Sequence, residues 1–78
     1  MKEDLKRNAE IAKLWLKGWT LQQIGDVYGI TGARVRQIAT WIFIRARVYQ
    51  CGKNIKALRQ NRNRATTIID EFITQRLT

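Results

Sequence analysis

Two short breaks, Gly18-Trp19-Thr20 and Gly29-Ile30-Thr31, divide the first half of the chain into three segments. Glycine is common just after the end of a helix, and threonine is a favourable cap for the helix that follows. Within each segment, apolar residues recur three and four positions apart, which is the spacing of one helix face. The sequence therefore predicts three helices in close succession, over about residues 3–17, 20–28 and 31–49.

The second and third predicted helices have the spacing of a helix-turn-helix. Gly29 lies where the tight turn needs a positive φ, and Gly25 lies where two crossing helices leave little room for a side chain. Apolar residues fill the inward positions of the motif: Ile24, Tyr28, Ile30, Val35 and Ile38. This architecture holds its second helix away from the body, so that the N-terminal half of that helix can enter a DNA major groove. An ordinary helical hairpin is the alternative.

After a break at Cys51-Gly52 the sequence predicts two more helices. We expect them over about residues 54–60 and 67–77, with Thr66 or Thr67 as a cap, because the Asn-Arg-Asn-Arg stretch at 61–64 is poor helix material. The chain has no proline and no sustained alternation typical of a strand. We therefore predict an all-α fold, a small bundle of four to five helices containing a helix-turn-helix. Residues 1–50 would form its core, and residues 51–78 a basic segment and an amphipathic helix that packs on this core or on a partner chain.

Positive charge is concentrated in the middle of the chain. The formal net charge is +9, and residues 31–65 hold nine basic side chains and no acidic one. Such a field attracts polyanions such as nucleic acids. A solvated surface without a partner is the alternative reading of the same charges.

The residue types argue against an enzyme and against a metal site. There is no histidine and one cysteine, Cys51, so a Cys/His zinc site cannot form within one chain and no histidine can activate the thiol. No apolar run approaches the roughly 18 residues of a membrane span. We expect no cofactor, no metal and no membrane partner, and a cytoplasmic location in a bacterial cell or a phage-infected host.

Three stretches of the predicted helix-turn-helix resemble region 4 of bacterial sigma factors: Thr20-Leu21-Gln22-Gln23-Ile24-Gly25, Tyr28-Gly29-Ile30-Thr31 and Arg34-Val35-Arg36-Gln37-Ile38. The resemblance covers about residues 8–47 and implies a promoter-type DNA-binding domain. In that family the two residues after the capping threonine are commonly arginine and glutamate, which read bases of the −35 element. Here they are Gly32 and Ala33, which make no bidentate base contacts. We therefore expect a small phage- or plasmid-type regulator that reads a site of its own.

Position on the third helix assigns roles to its polar residues. Arg34 and Gln37 are the best candidates for base edges, with guanine favoured by arginine and adenine by glutamine. Gly32 and Ala33 are included because small residues allow close approach to the bases. The candidates for the sugar-phosphate backbone are Thr20, Thr31, Arg36, Thr40, Arg45, Lys53, Lys56, Arg59, Arg62 and Arg64. The predicted function is that of a sequence-specific transcriptional regulator with double-stranded DNA as its partner.

Two apolar stripes of the predicted helices need cover. They either cover each other within one chain or form a partner interface, with a second copy of the chain or RNA polymerase as the partner. Their members are Trp41, Ile44 and Val48, and Ile69, Phe72, Ile73 and Leu77. Two other functions therefore stay open: a phage-type protein that binds host RNA polymerase as a mimic of sigma region 4, and a small accessory protein of DNA packaging or recombination.

Overall fold

The computed structural model describes residues 4–77, with Leu77 as backbone alone. The described residues form five α-helices and one 3₁₀ helix, and they contain no strand. The elements are α1 (Leu5–Leu16), α2 (Leu21–Tyr28), α3 (Gly32–Arg45), the 3₁₀ helix (Val48–Cys51), α4 (Ile55–Gln60) and α5 (Arg62–Leu77). The predicted all-α bundle with a helix-turn-helix is confirmed.

Local hydrogen bonds explain where α2 and α3 begin. Thr20 Oγ1 accepts a hydrogen bond from the Gln23 backbone N–H at 3.1 Å, and Gln23 Oε1 accepts one from the Thr20 N–H at 3.0 Å. This reciprocal pair is a capping box, which satisfies two backbone donors at the start of the helix. Thr31 Oγ1 accepts from the Arg34 N–H at 3.1 Å in the same way. The two threonine caps expected from the sequence are confirmed.

Two glycines determine the turn between α2 and α3. Gly29 has a φ of +70°, so it takes the left-handed conformation predicted for the tight turn. Gly25 is buried, and a Cβ at this position would lie 2.5 Å from the carbonyl oxygen of Ile30. The Ile30 N–H donates to the Gly25 carbonyl at 2.9 Å, so the backbone of the turn is bonded directly to α2.

The core consists of two clusters that share α1 and α3. The smaller cluster contains Ile11, Ile24, Val35 and Ile38, and it attaches the helix-turn-helix to α1. The larger cluster joins α1 and the second half of α3 to the C-terminal elements; it includes Leu16, Ile42, Phe43, Val48, Leu58, Ile69 and Ile73. An ion pair between Lys13 and Asp70 also links α1 to α5. The C-terminal segment therefore packs on the core of its own chain.

The expectation that the third helix continues to about residue 49 is wrong. α3 ends at Arg45, and Arg47 has a φ of +61°, a conformation that terminates a helix and that non-glycine residues seldom adopt. The chain then turns into the 3₁₀ helix, where Val48 is fully buried and the Tyr49 ring packs edge-on against Phe43. A straight continuation of α3 would leave this part of the core uncovered.

The expected irregular stretch at 61–64 is also wrong, because α5 begins at Arg62. Asn61 marks the joint: its side-chain amide donates to the carbonyls of Cys51 and Ala57, and its own carbonyl accepts from the Ala65 N–H. Ala65 is fully buried, so packing outweighs the poor helix propensity of the Asn-Arg-Asn-Arg sequence. Thr67 is not a cap, since its hydroxyl donates to the Asn63 carbonyl inside the helix.

Three of the residues predicted for a partner interface are core residues. Val48 and Ile69 are fully buried and Ile73 nearly so, and all three lie in the larger cluster of the same chain. These assignments are therefore corrected: the two stripes cover each other in part within one chain. Ile44 is exposed, Trp41 and Phe72 are half-buried, and the side chain of Leu77 lies outside the described residues.

Candidate nucleic-acid interface

One long face of α3 is free of the core. Val35, Ile38 and Ile42 are buried on the inner side of the helix. At 100° per residue, Ala33, Gln37 and Ile44 lie on the opposite side, and all three are exposed. None of the 14 residues of α3 is acidic. The exposed face is thus neutral along its middle and flanked by positive charge.

The two predicted base-reading residues are bonded to each other. Arg34 Nη1 donates a hydrogen bond to Gln37 Oε1 at 3.0 Å, and both side chains are exposed. Residues three positions apart in a helix lie on one face, which explains why they meet. The structure therefore brings Arg34 and Gln37 together as a pair in the first two turns of α3.

Gly32 and Ala33, the two small residues before this pair, lie on different sides of α3. Ala33 is exposed on the outer face of α3. Gly32 is half-buried, and a Cβ there would lie 3.5 Å from Leu21 Cβ and 3.8 Å from the Gln22 nitrogen. A side chain at position 32 would thus point towards the start of α2 and away from the outer face. Gly32 can approach a ligand by its backbone alone.

The same contact places the starts of α2 and α3 side by side. Each start has an exposed capping threonine, Thr20 or Thr31, and backbone N–H groups that are not bonded within the helix. The positive ends of two helix dipoles are therefore adjacent, next to the outer face of α3.

A surface groove of about 500 Å³ runs along one flank of α3. Arg36 and Thr40 form its α3 side, and Lys53 and Asn54 face them from the segment before α4. Asn54 holds this segment in place, because its Oδ1 caps α4 by accepting from the Ala57 N–H at 3.0 Å. The structure thus gathers three of the predicted backbone-contact residues, Arg36, Thr40 and Lys53, beside the outer face.

The sequence did not identify Asn54 as a residue of this groove. An asparagine directly before a predicted helix is a favourable N-cap, and this was the signal that could have pointed to it.

Arg59 has a structural role. Its Nε donates to the Trp15 carbonyl at 3.0 Å and its Nη2 to the Trp19 carbonyl at 3.4 Å. The guanidinium thus satisfies carbonyls at the C-terminal end of α1 and just beyond it, where a cation is also favoured by the helix dipole. These two bonds occupy Nε and Nη2, and a contact of Arg59 with the sugar-phosphate backbone stays a prediction.

The remaining predicted cations lie away from the groove along α3. Arg62 lines a separate groove with Lys17 and Thr66, between the end of α1 and the start of α5. Arg45 and Arg47 line a third groove, with Phe72 and Arg76, at the C-terminal end of α3. The Arg45 guanidinium lies 5.3 Å from the Trp41 ring centre, a cation–π contact. Lys56 and Arg64 are exposed.

A contact between a tyrosine of α2 and a carboxylate of α1 links the helix-turn-helix to α1. Tyr28 Oη donates to Glu10 Oε2 at 3.3 Å. Burial, followed by the negative charge of Glu10, raises the pKa of Tyr28 above 10.0. The tyrosine therefore stays neutral and donating over the ordinary pH range.

Residues 10–41 match the family model described as Sigma-70, region 4. The chain contains a sigma region 4-like helix-turn-helix domain. The match runs from α1 through α2 and the turn to Trp41 of α3, so it includes the Arg34–Gln37 pair and both threonine caps. The family is one of DNA-binding domains and not of catalysts. The resemblance inferred from the sequence is confirmed.

The sigma region 4-like domain is followed by a segment that the match does not cover. The last turn of α3, the 3₁₀ helix, α4 and α5 all lie beyond residue 41. Searches of curated proteins and of solved structures found no match to the chain. No helix among the described residues is long and apolar enough to cross a bilayer. Over residues 4–77 no three His, Cys, Asp or Glu side chains are grouped as metal ligands would be.

Proposed function

We propose that this protein is a transcriptional regulator that binds a specific double-stranded DNA site with α3 in the major groove. The observation that carries the proposal is the outer face of α3, which has no acidic residue and presents the Arg34–Gln37 pair. An α-helix with its side chains is about 10–12 Å across and fits the roughly 12 Å width of the major groove. We place its action in the cytoplasm of a bacterial cell or a phage-infected host.

The groups beside α3 support contacts to the phosphates along one side of that groove. The paired starts of α2 and α3 offer backbone N–H groups and positive dipole ends, which suit phosphate oxygens. The groove along α3 adds Arg36 and Lys53 on the same flank, since Leu21 at the start of α2 also lines it. Phosphate contacts of this kind fix the position of a protein on DNA, and the bases are then read by the outer face of α3.

A selection of bound fragments from random duplex DNA tests the proposal. We expect one enriched site and an affinity that falls steeply with salt. If about five phosphates are neutralised, the slope of log affinity against log salt concentration is about −4 to −5. Absence of an enriched sequence would contradict a specific regulator, and absence of any duplex binding would contradict the nucleic-acid function itself.

Two matched variants test which positive charges matter. Arg36→Ala should weaken binding to all sequences and reduce the salt slope by about 1, because it removes one phosphate contact. Arg62→Ala removes the same charge from a different groove and should leave the slope nearly unchanged. Equal effects of the two variants would mean that overall charge, and not the groove beside α3, determines binding.

A second candidate function is binding to RNA polymerase through the groove at the C-terminal end of α3. The observation that favours it is the combination of half-buried Phe72 with Arg45, Arg47 and Arg76 in a groove outside the family match. Ile44, nearby on α3, is 61% exposed. Such a surface of apolar and arginine side chains is typical of a protein interface.

Purified RNA polymerase, without DNA, provides the test of this second candidate. Binding that is lost in Ile44→Asp would support it, and this exposed position can be changed without disturbing the core. A second copy of the chain is the other partner to consider. Sedimentation of the free protein distinguishes it, since a homodimer through this surface would become a monomer in the same variant.

A further inference from the structure

We infer that Arg34 reads a guanine, with Gln37 acting as a positioning residue that holds the Arg34 guanidinium for this contact. The inference rests on the proposed function, since it concerns which base the outer face of α3 recognises. Taken separately, arginine favours guanine and glutamine favours adenine. The hydrogen bond between the two side chains changes that expectation.

The bond occupies one of the two lone pairs of the oxygen that glutamine needs for adenine. To read adenine, a glutamine accepts from the N6 amino group with its amide oxygen and donates to N7 with its amide nitrogen. In this structure Gln37 Oε1 already accepts from Arg34 Nη1 at 3.0 Å. The group that this bond holds ready for a base is the Arg34 guanidinium, which carries N–H donors and no acceptor.

A reader that consists of donors matches one purine and not the other. Guanine presents two acceptors, O6 and N7, at its major-groove edge, whereas adenine presents N7 next to the N6 amino donor. The guanidinium complements guanine at both atoms. Against adenine, one of its N–H groups would face another N–H group. The bonded pair therefore favours guanine at the position it reaches.

The bond also prepares Arg34 for binding. An arginine side chain is long, and fixing its rotamers on binding reduces affinity. The Gln37 oxygen holds the guanidinium in one orientation before DNA arrives. Exposed Ala33 is next to Arg34 and adds little bulk to the outer face, so the guanidinium can approach the base edge closely.

Modified bases in the enriched site test which atoms are read. At the guanine that Arg34 contacts, 7-deazaguanine removes N7, and we expect the affinity to fall by about 5-fold or more. Inosine is the control, because it keeps O6 and N7 and lacks the minor-groove amino group. In Arg34→Ala the 7-deazaguanine substitution should have no further effect. A parent protein equally sensitive to inosine, or insensitive to 7-deazaguanine, would overturn the inference.

Variants of Gln37 then test the positioning role. Both Gln37→Ala and Arg34→Ala should relax the preference at the same guanine, and the double variant should discriminate no worse than Arg34→Ala alone. Gln37→Glu keeps the acceptor and should keep the guanine preference. All three replacements are at exposed positions, so folding should be retained.

The outcomes separate this inference from the proposed function. If Gln37→Ala relaxes an adenine at a different position from the one that Arg34→Ala relaxes, each residue reads its own base and the inference is wrong. If the parent protein selects no duplex sequence, the proposed function fails, and the inference fails with it. A preference for one shared guanine, lost in both alanine variants, supports both.

Discussion

Gly25→Ala is the substitution that most directly tests the geometry of the helix-turn-helix. The new Cβ would lie 2.5 Å from the Ile30 carbonyl oxygen, where ordinary contacts begin at about 3.4 Å. The obstacle is backbone, and it is held because the Ile30 N–H is bonded to the Gly25 carbonyl. The turn and the start of α3 must therefore move by nearly 1 Å relative to α2.

The expected magnitude is the difference between two opposing effects. Overpacking of this kind costs about 1–3 kcal/mol, and a clash with fixed backbone belongs at the upper end of that range. Alanine in place of glycine inside a helix contributes about 1 kcal/mol in the other direction. The net loss in the free energy of unfolding is then about 2 kcal/mol, which lowers Tm by roughly 8–16 °C in a domain of this size.

Thermal unfolding followed by circular dichroism measures the effect. Gly32→Ala is the matched control, because its Cβ would meet Leu21 Cβ at an ordinary 3.5 Å. We expect its Tm to be unchanged or slightly higher. A Gly25→Ala protein as stable as the parent, or more stable, would refute the close crossing of α2 and α3.

Three further predictions concern the cap of α2, the end of α1 and the tyrosine contact. Thr20→Ala removes half of the capping box and should lower the free energy of unfolding by about 1 kcal/mol in urea denaturation; no change would mean that the cap does not stabilise α2. Arg59→Lys keeps the charge but loses the fork that reaches two carbonyls, so stability should fall by about 1–2 kcal/mol while DNA affinity stays constant. Weakened DNA binding at unchanged stability would instead assign Arg59 to the interface. Because the pKa of Tyr28 is raised, its contribution to stability is complete below pH 10.0 and is lost as pH rises through the higher folded-state value. Denaturation of the parent and of Tyr28→Phe across this alkaline range should show a smaller decline in the variant; equal declines would exclude this role of Tyr28.

The helix-turn-helix could be predicted from sequence because its constraints are local. A capping threonine bonds a backbone group three residues away, and a left-handed glycine acts within its own turn. Such features depend on few long-range contacts, so residue type and spacing carry the information. The starts of α2 and α3 and the turn at Gly29 were therefore predictable.

The errors arose where tertiary packing overrides local preference. Helix propensity favours continuing α3 beyond Arg45, yet burial of Val48 requires the chain to turn back through the left-handed conformation of Arg47. Helix propensity also disfavours a helix at 62–64, yet α5 begins at Arg62 because Ala65 packs in the core. Neither outcome follows from a window of neighbouring residues. The same limit applies to the interface, since no pattern along the chain indicates that Arg59 reaches the end of α1.

The segment beyond the family match links the stability of the fold to the shape of the proposed DNA-binding surface. The turn at Arg47 directs Val48 into the core, and the chain then passes through Lys53 and the Asn54 cap before α4 and α5 complete that core. Lys53 faces Arg36 across the groove because this route is fixed at both ends by buried side chains, Val48 and Leu58. A small domain buries only a small apolar core, so removing apolar side-chain volume from α5 lowers the stability of the whole larger cluster. Substitutions at Ile69, which lies in the core, should therefore reduce the stability of the fold. When the C-terminal elements loosen, Lys53 is displaced, and the same substitutions should then also weaken DNA binding.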